Sequence, residues 1–176
     1  MAAEWITYLF YGLIFSSPAY FANAIPVFVS GLGRVDWGKT FIDGKPFLGS
    51  HKTNGGVIAA VLAGGLAGIA APLFFPEIFY NSGMKGYTYG IGFLLGFAAI
   101  LGDAIGSFTK RRIKIKPGKP FPIVDQVGFV VAAFLLAAIF IDFPIQWPLY
   151  VIPFTLLAHL SANFIAYLMG WKEVWY

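Results

Sequence analysis

Five apolar runs separated by polar connections organise this chain, at residues 5–29, 57–76, 86–108, 126–141 and 147–169. About 20 apolar residues cross a hydrocarbon core as a helix, so the pattern predicts an all-α integral membrane protein with five transmembrane helices. The fourth run is short. The first carries Ser16-Ser17-Pro18 and Pro26, which are expected to kink its helix or end it early. The fifth opens with Pro148, holds Pro153 at an expected kink, and has aromatic residues at both ends, where an interfacial belt would sit. Glycine pairs at helix-packing spacing, Gly64 with Gly68, Gly92 with Gly96 and Gly102 with Gly106, read as places where neighbouring helices approach closely.

Composition agrees with this reading. Hydrophobic residues make up 59% of the 176 residues and charged residues 11%, with a mean hydropathy of +0.75. That is far from a soluble globular profile, and it predicts one membrane domain over 1–176 with little chain left for a soluble one. There is no cysteine, which excludes a disulfide framework, a thiolate zinc site and a cysteine nucleophile. His51 has no second histidine or cysteine at metal-ligand spacing, which argues against zinc. No basic segment precedes the first apolar run, so that run is expected to stay in the mature protein rather than be cleaved as a signal peptide.

Charge then orients the helices. Arg34, Lys39, Lys45 and Lys52 fall in the first connection (30–56), six cations fall in the third, and Lys172 lies in the tail, against only Lys85 on the opposite side. The positive-inside rule therefore puts the N-terminus outside, and the C-terminus and both long polar loops in the cytoplasm.

The third connection carries the candidate chemistry. Lys110, Arg111, Arg112, Lys114, Lys116 and Lys119 lie between Asp103 and Asp125. Cations beside a bilayer attract phosphate, and two carboxylates among them could hold the divalent metal that phosphate chemistry uses. At about 100° per residue, Asp103, Ser107, Lys110 and Arg111 share one helix face. Asp103 falls roughly 24 Å from the outer end of its span, just inside the cytoplasmic boundary, where a carboxylate is costly unless paired or metal-bound. A functional acid is the favoured reading, and a plain ion pair with Lys110 or Arg112 is the alternative. Asp125, followed by Gln126, opens the fourth span, where it is expected to cap the helix and to bind metal as well. In the first connection, within DGKPFLGSHKTNGG (43–56), glycines with Lys52, Thr53 and Asn54 make a cradle that could hold phosphates at a helix start. The spacing is not that of a Walker A loop, and a polar turn obeying the positive-inside rule is the alternative. Asn23, His159 and Asn163 read as interhelical hydrogen-bonding residues.

Taken together, GDAIGSFTKRR, the following KPG and DQ, and ANAIPV, DGKPFLG and HKTNGG upstream resemble the CDP-archaeol synthase family over nearly the whole chain. The block also resembles the wider CDP-diacylglycerol synthase group, whose second aspartate falls here at Gly128. The resemblance implies a CTP-dependent nucleotidyltransferase of archaeal ether-lipid biosynthesis, a multi-pass protein of the cell membrane. It would move CMP from CTP to a geranylgeranyl-ether glycerol phosphate, giving CDP-archaeol and pyrophosphate. It further implies Mg²⁺ on Asp103 and Asp125, catalytic roles for both acids and Lys110, phosphates held by Lys110, Arg111 and Arg112, and Asp43, Lys45, Lys52, Thr53 and Asn54 closing over CTP. Asp43, Gly44, Ser107 and Gln126 complete the expected substrate site. A small transporter is the competing class, but transporters place polar residues near the midplane, whereas charge here crowds one face. A basic loop that merely anchors anionic lipids is another.

Overall fold

The structure is a computed structural model that describes residues 4–49, 51–80, 84, 87, 89–115 and 119–171. Lys85, Lys116 and Lys172, three of the cations that orient the helices by charge, lie outside the described residues, as does the Pro117-Gly118 pair. The chain forms α1 (Glu4–Ala24), a 3-10 turn (Ile25–Val27), α2 (Asn54–Phe74), the short α3 (Pro76–Tyr80), α4 (Ile91–Arg112), α5 (Val124–Ala137) and α6 (Gln146–Leu168). Helix α4 lies at the centre of the bundle, against α1, α2 and α5, while α6 closes on α1 and α5.

Among the described residues three helices, α2, α4 and α6, are long and apolar enough to cross a membrane. Helix α5, with 14 residues, extends about 21 Å, short of a 30 Å hydrocarbon core. Apolar side chains point outward as well as inward: Leu66, Phe97, Leu135, Leu157 and Leu168 are exposed on a bundle whose centre is also apolar. A helix apolar all round belongs in lipid.

Glycine sets how closely the central helices approach. A Cβ at Gly68 would fall 2.3 Å from the Gly92 Cα, and one at Gly64 would fall 2.7 Å from the Gly96 Cα, so α2 and α4 touch backbone to backbone. On the other side of α4, a Cβ at Gly102 would meet the Gly128 carbonyl oxygen at 2.4 Å. Lipid tails are as apolar as leucine, so dispersion between closely packed backbones holds such helices together, and small residues permit it.

Pro18, Pro72 and Pro153 sit inside helices without ending them, so of the kink or early end expected at Pro18 the early end does not occur. A proline lacks the N–H that would bond the carbonyl four residues back. The Ser17 hydroxyl donates to that carbonyl, on Ile14, at 2.8 Å. For Pro72 in α2 the carbonyl belongs to Gly68, and the Tyr87 hydroxyl donates to it at 2.5 Å. The first helix instead ends before Pro26, which enters the 3-10 turn.

Helix boundaries shift in two places. Helix α2 begins at Asn54, three residues earlier than the apolar run, because Thr53 is extended (φ −112°, ψ 150°) and its Oγ1 accepts from the Gly56 N–H. Helix α4 continues through Lys110, Arg111 and Arg112, where cations suit the negative end of the helix dipole.

Candidate functional site

The first connection is a structured loop docked on the C-terminal end of α4. Short antiparallel bridges pair Arg34 with Thr53 and Thr40 with Pro46. Phe41 and Phe47 meet Phe108 of α4 with ring centroids 5.2 and 5.4 Å away. The Arg112 guanidinium lies 3.5 Å from the Phe108 ring centroid and pairs with Asp43, Nε to Oδ2, at 3.3 Å. It also donates to the Pro46 carbonyl at 3.1 Å, and the Lys45 ammonium donates to the Arg112 carbonyl at 3.0 Å. Arg112, Asp43 and Lys45, expected around a substrate, here join the loop to the helix. Gly44 adopts a left-handed conformation (φ +73°) in the turn that Asp43 closes by accepting from the Lys45 N–H.

Lys52 crosses from this loop to Asp103, Nζ to Oδ2, at 2.9 Å. Asp103 therefore pairs with neither Lys110 nor Arg112, the partners its own helix offers. Lys110 lies two helical turns away and binds Asp125 of α5 at 2.8 and 3.0 Å. Both acid–lysine pairs sit at one end of the bundle, since Gly102 packs on Gly128 and Gly106 lies beside Val124. The first turns of α5 thus run alongside the 102–106 segment of α4. Ser107 and Arg111, partly buried, lie on the same final turns of α4.

Two expectations need correction. Asp125 is not the helix cap: Ile123 holds that position and Asp125 is the second helical residue. Its carboxylate reaches back to accept from the Phe121 N–H at 2.9 Å. Nor is the start of α2 an open phosphate cradle. The Asn54 N–H bonds Gly33 O, the Gly55 N–H bonds Gly31 O, and the Gly56 N–H is taken by Thr53. The Asn54 side chain donates to Leu32 O at 2.9 Å. These residues hold the loop against α2, and Lys52 is the member of the cradle that reaches the acids.

Gln126 is 4% exposed, and its side-chain oxygen has no hydrogen-bond partner among the described residues. An unmatched buried acceptor costs about 1–3 kcal/mol, so a donor that satisfies it on binding gains by that amount.

Asp36 escaped the sequence reading. It is 7% exposed, and its carboxylate accepts from the backbone N–H groups of Gly38, Leu48 and Gly49 at 3.0, 3.1 and 3.2 Å. Arg34 adds an ion pair at 3.1 Å. Burial pushes its carboxyl up, but these bonds to the charged form outweigh burial and hold it below the usual carboxylate range. The signal available was an aspartate two residues before a glycine, a turn in which the side chain bonds its own backbone.

Comparison with known proteins places this arrangement. The model of the CarS-like CDP-archaeol synthase family matches residues 5–176. The chain belongs to the CDP-archaeol synthase family. It is 38% identical to the CDP-archaeol synthase of Methanocaldococcus jannaschii over 177 residues, which cover 96% of this chain and all of the relative. Identity to the Thermococcus kodakarensis enzyme is 39% over 178 residues, 97% of this chain and 98% of that one. A solved structure, described as an intramembrane enzyme for archaeal membrane lipid biosynthesis, superposes with a TM-score of 0.73 at 33% identity, covering 86% of this chain and 91% of its own. The expected family and the all-helical membrane fold are both borne out.

Proposed function

We propose that this family member transfers CMP from CTP to the phosphate of 2,3-bis-O-geranylgeranylglycerol 1-phosphate, releasing pyrophosphate and leaving CDP-archaeol with unsaturated chains. The observation that carries the site assignment is the meeting of the Lys52–Asp103 and Lys110–Asp125 pairs at one end of the bundle. We read α1 and α5 as further crossings, giving five, with the N-terminus outside and the site at the cytoplasmic face of the cell membrane. The one-sided distribution of Lys and Arg supports this orientation.

In the reaction a lipid phosphate oxygen attacks the α-phosphorus of CTP, and the bond from that phosphorus to the pyrophosphate oxygen breaks. The nucleophile is already ionised at neutral pH, so no side-chain base is required. What the protein must supply is alignment of two mutually repelling anions and relief of their repulsion. Lys52, Lys110 and Arg111 are the cations placed to hold phosphates. Arg112 acts through the loop that it anchors. The buried Gln126 oxygen is placed for an N–H or O–H donor of the nucleoside.

Among the described residues no three of His, Cys, Asp or Glu form a metal-binding group, so an all-protein cage is not present. Asp103 and Asp125 fit the other mode, in which one or two carboxylates hold Mg²⁺ and substrate phosphates and water complete its shell. Their lysine partners would exchange carboxylate for phosphate as the site fills. When bound, the ion would neutralise charge developing on the triphosphate. Gly128, where the wider group carries its second aspartate, packs against Gly102 and contributes no ligand.

The lipid chains resemble the bilayer interior, so only the head group has to leave the lipid phase. Purified protein in detergent, given CTP labelled at the α-phosphate, the geranylgeranyl lipid and Mg²⁺, is expected to move label into the organic phase. Absence of organic-phase label from folded protein refutes the proposal.

A further inference from the structure

Asp36 lies outside the residues that meet substrate in the reading above, yet the site-facing geometry of the loop converges on it. Its carboxylate binds two stretches of the loop at once, the 34–38 turn through Arg34 and Gly38, and the 48–49 segment through two backbone N–H groups. Lys52 follows directly. Its carbonyl accepts from the Val35 N–H at 3.0 Å and its N–H donates to Gly49 O at 3.4 Å, so both segments that Asp36 ties together also hold the Lys52 backbone. From there the Lys52 side chain reaches Asp103 at 2.9 Å. The turn is under strain as well. Trp37 has φ +47°, a left-handed conformation unfavourable for a bulky residue, between Asp36 and a left-handed Gly38. Strain of this kind persists only where surrounding bonds overdetermine it; the Trp37 N–H donates to the Arg34 carbonyl at 3.1 Å, and the Asp36 carboxylate holds Arg34 and Gly38 around it.

We propose that Asp36 is the positioning residue for Lys52: it fixes the Lys52 backbone so that the ammonium stands at Asp103, where the nucleotide phosphates are to be held. This rests on the reading of Lys52 as a phosphate-holding residue. Asn at position 36 keeps the shape and one acceptor oxygen, but it loses the charge that binds three N–H groups and Arg34 together. Asp36 does not touch substrate, so its loss acts through Lys52.

Two readouts test it. The first is a kinetic double-mutant cycle on lipid labelling. Asp36→Asn is expected to raise KM for CTP about 10-fold with kcat changed less than about 3-fold, the loss of roughly one charge-assisted bond's worth of placement. In a Lys52→Ala background the same substitution should cost less than about 2-fold, because the residue it positions is gone. Equal losses in both backgrounds overturn the proposal. So does a normal KM for CTP in folded Asp36→Asn.

The second readout needs no turnover: the rate at which Lys52 is acetylated, resolved by mass spectrometry in folded, substrate-free protein. Asp36→Asn should raise that rate toward the value in Asp103→Asn, which frees Lys52 directly. An unchanged rate in Asp36→Asn beside a raised one in Asp103→Asn refutes the proposal whatever the enzyme's substrate is. If Asp36→Asn does not fold, Arg34→Gln gives the decision. It removes one support of Asp36 and leaves its backbone bonds, and it should raise Lys52 labelling by a smaller factor. No change there counts against the proposal. Failure of wild-type turnover would bear on the proposed reaction, while the labelling comparison would still decide the role of Asp36.

Discussion

The seam between α2, α4 and α5 and the loop docked on the end of α4 are both tightly fitted, but they are held by opposite physics. Along the seam backbones meet at glycine, and the Lys110–Asp125 pair joins α4 to α5 at its end. At the loop, Asp36, Asp43 and Asp103 each hold a cation, and each pair joins the loop to α4 or fixes a turn. The difference separates folding from chemistry. Packing at the seam decides whether the bundle forms, whereas the ion pairs carry exchangeable charge where we propose that a polyanion binds. Such pairs, partly open to water, stabilise little by themselves, typically about 0–1 kcal/mol. Their value lies in placement.

The comparison breaks if charge substitutions at the loop unfold the protein or seam substitutions leave it intact. The largest effect is expected from Asp103→Asn, which should reduce CTP-dependent lipid labelling by about 10³-fold or more while leaving the thermal unfolding midpoint and elution profile unchanged. Retained turnover there removes Asp103 from the reacting site. Gly68→Ala should do the reverse. Its new methyl falls within 2.3 Å of the Gly92 Cα, and a loss of about 1–3 kcal/mol should appear as a lowered midpoint of thermal unfolding in detergent.

Gln126→Leu tests the border between the two regions. It should lower kcat/KM for CTP by about 10-fold without destabilising the fold, since the substitution also removes an unmatched buried acceptor. Comparing dCTP and UTP in wild type and variant tells whether the lost donor belonged to ribose or base.

A smaller effect concerns pH. The Asp36 carboxyl lies below its usual range in the folded protein. Its contribution is therefore fully present above about pH 4, the unfolded value, and is lost as pH falls through the lower folded value. The charged group facing it is Arg34, which stays protonated throughout. The stability gap between wild type and Asp36→Asn, measured by thermal unfolding, should be flat at neutral pH and shrink in acid. A gap that widens in acid contradicts the assignment. Smallest of all, Tyr87→Phe should cost about 1 kcal/mol, by exposing the Gly68 carbonyl that Pro72 leaves without an amide partner, and should leave turnover unchanged.

Much of the membrane portion was legible because its signals are local. Apolar runs marked the helices to within a few residues, and the glycine spacing named the seam before any contact was known. Errors arose where a local rule met a partner from elsewhere. Ser17 repairs the bond that Pro18 forgoes, so of the kink or early end predicted there the early end does not occur. The apolar run stops at residue 108, but the helix face read through Lys110 and Arg111 is continuous in α4, which ends at Arg112. At the site, the ion pair that the sequence offers as the alternative for Asp103 is not the one the fold makes. Asp103 takes Lys52, 51 positions away, in place of Lys110 on its own helix. Asp36 showed no catalytic pattern at all, because its importance comes from four groups that reach it only in the folded loop.

The order of residues alone determined that this chain seeks a bilayer, that its Lys and Arg gather in two connections, and that it is kin to a family of lipid-activating enzymes. These properties follow from composition and short-range periodicity, which need no knowledge of which segments meet. Only the folded bundle decided which lysine neutralises which aspartate, and that the amides at the start of α2 are already engaged. Hydrogen bonds and ion pairs act over about 3 Å, and that proximity is set by packing between helices.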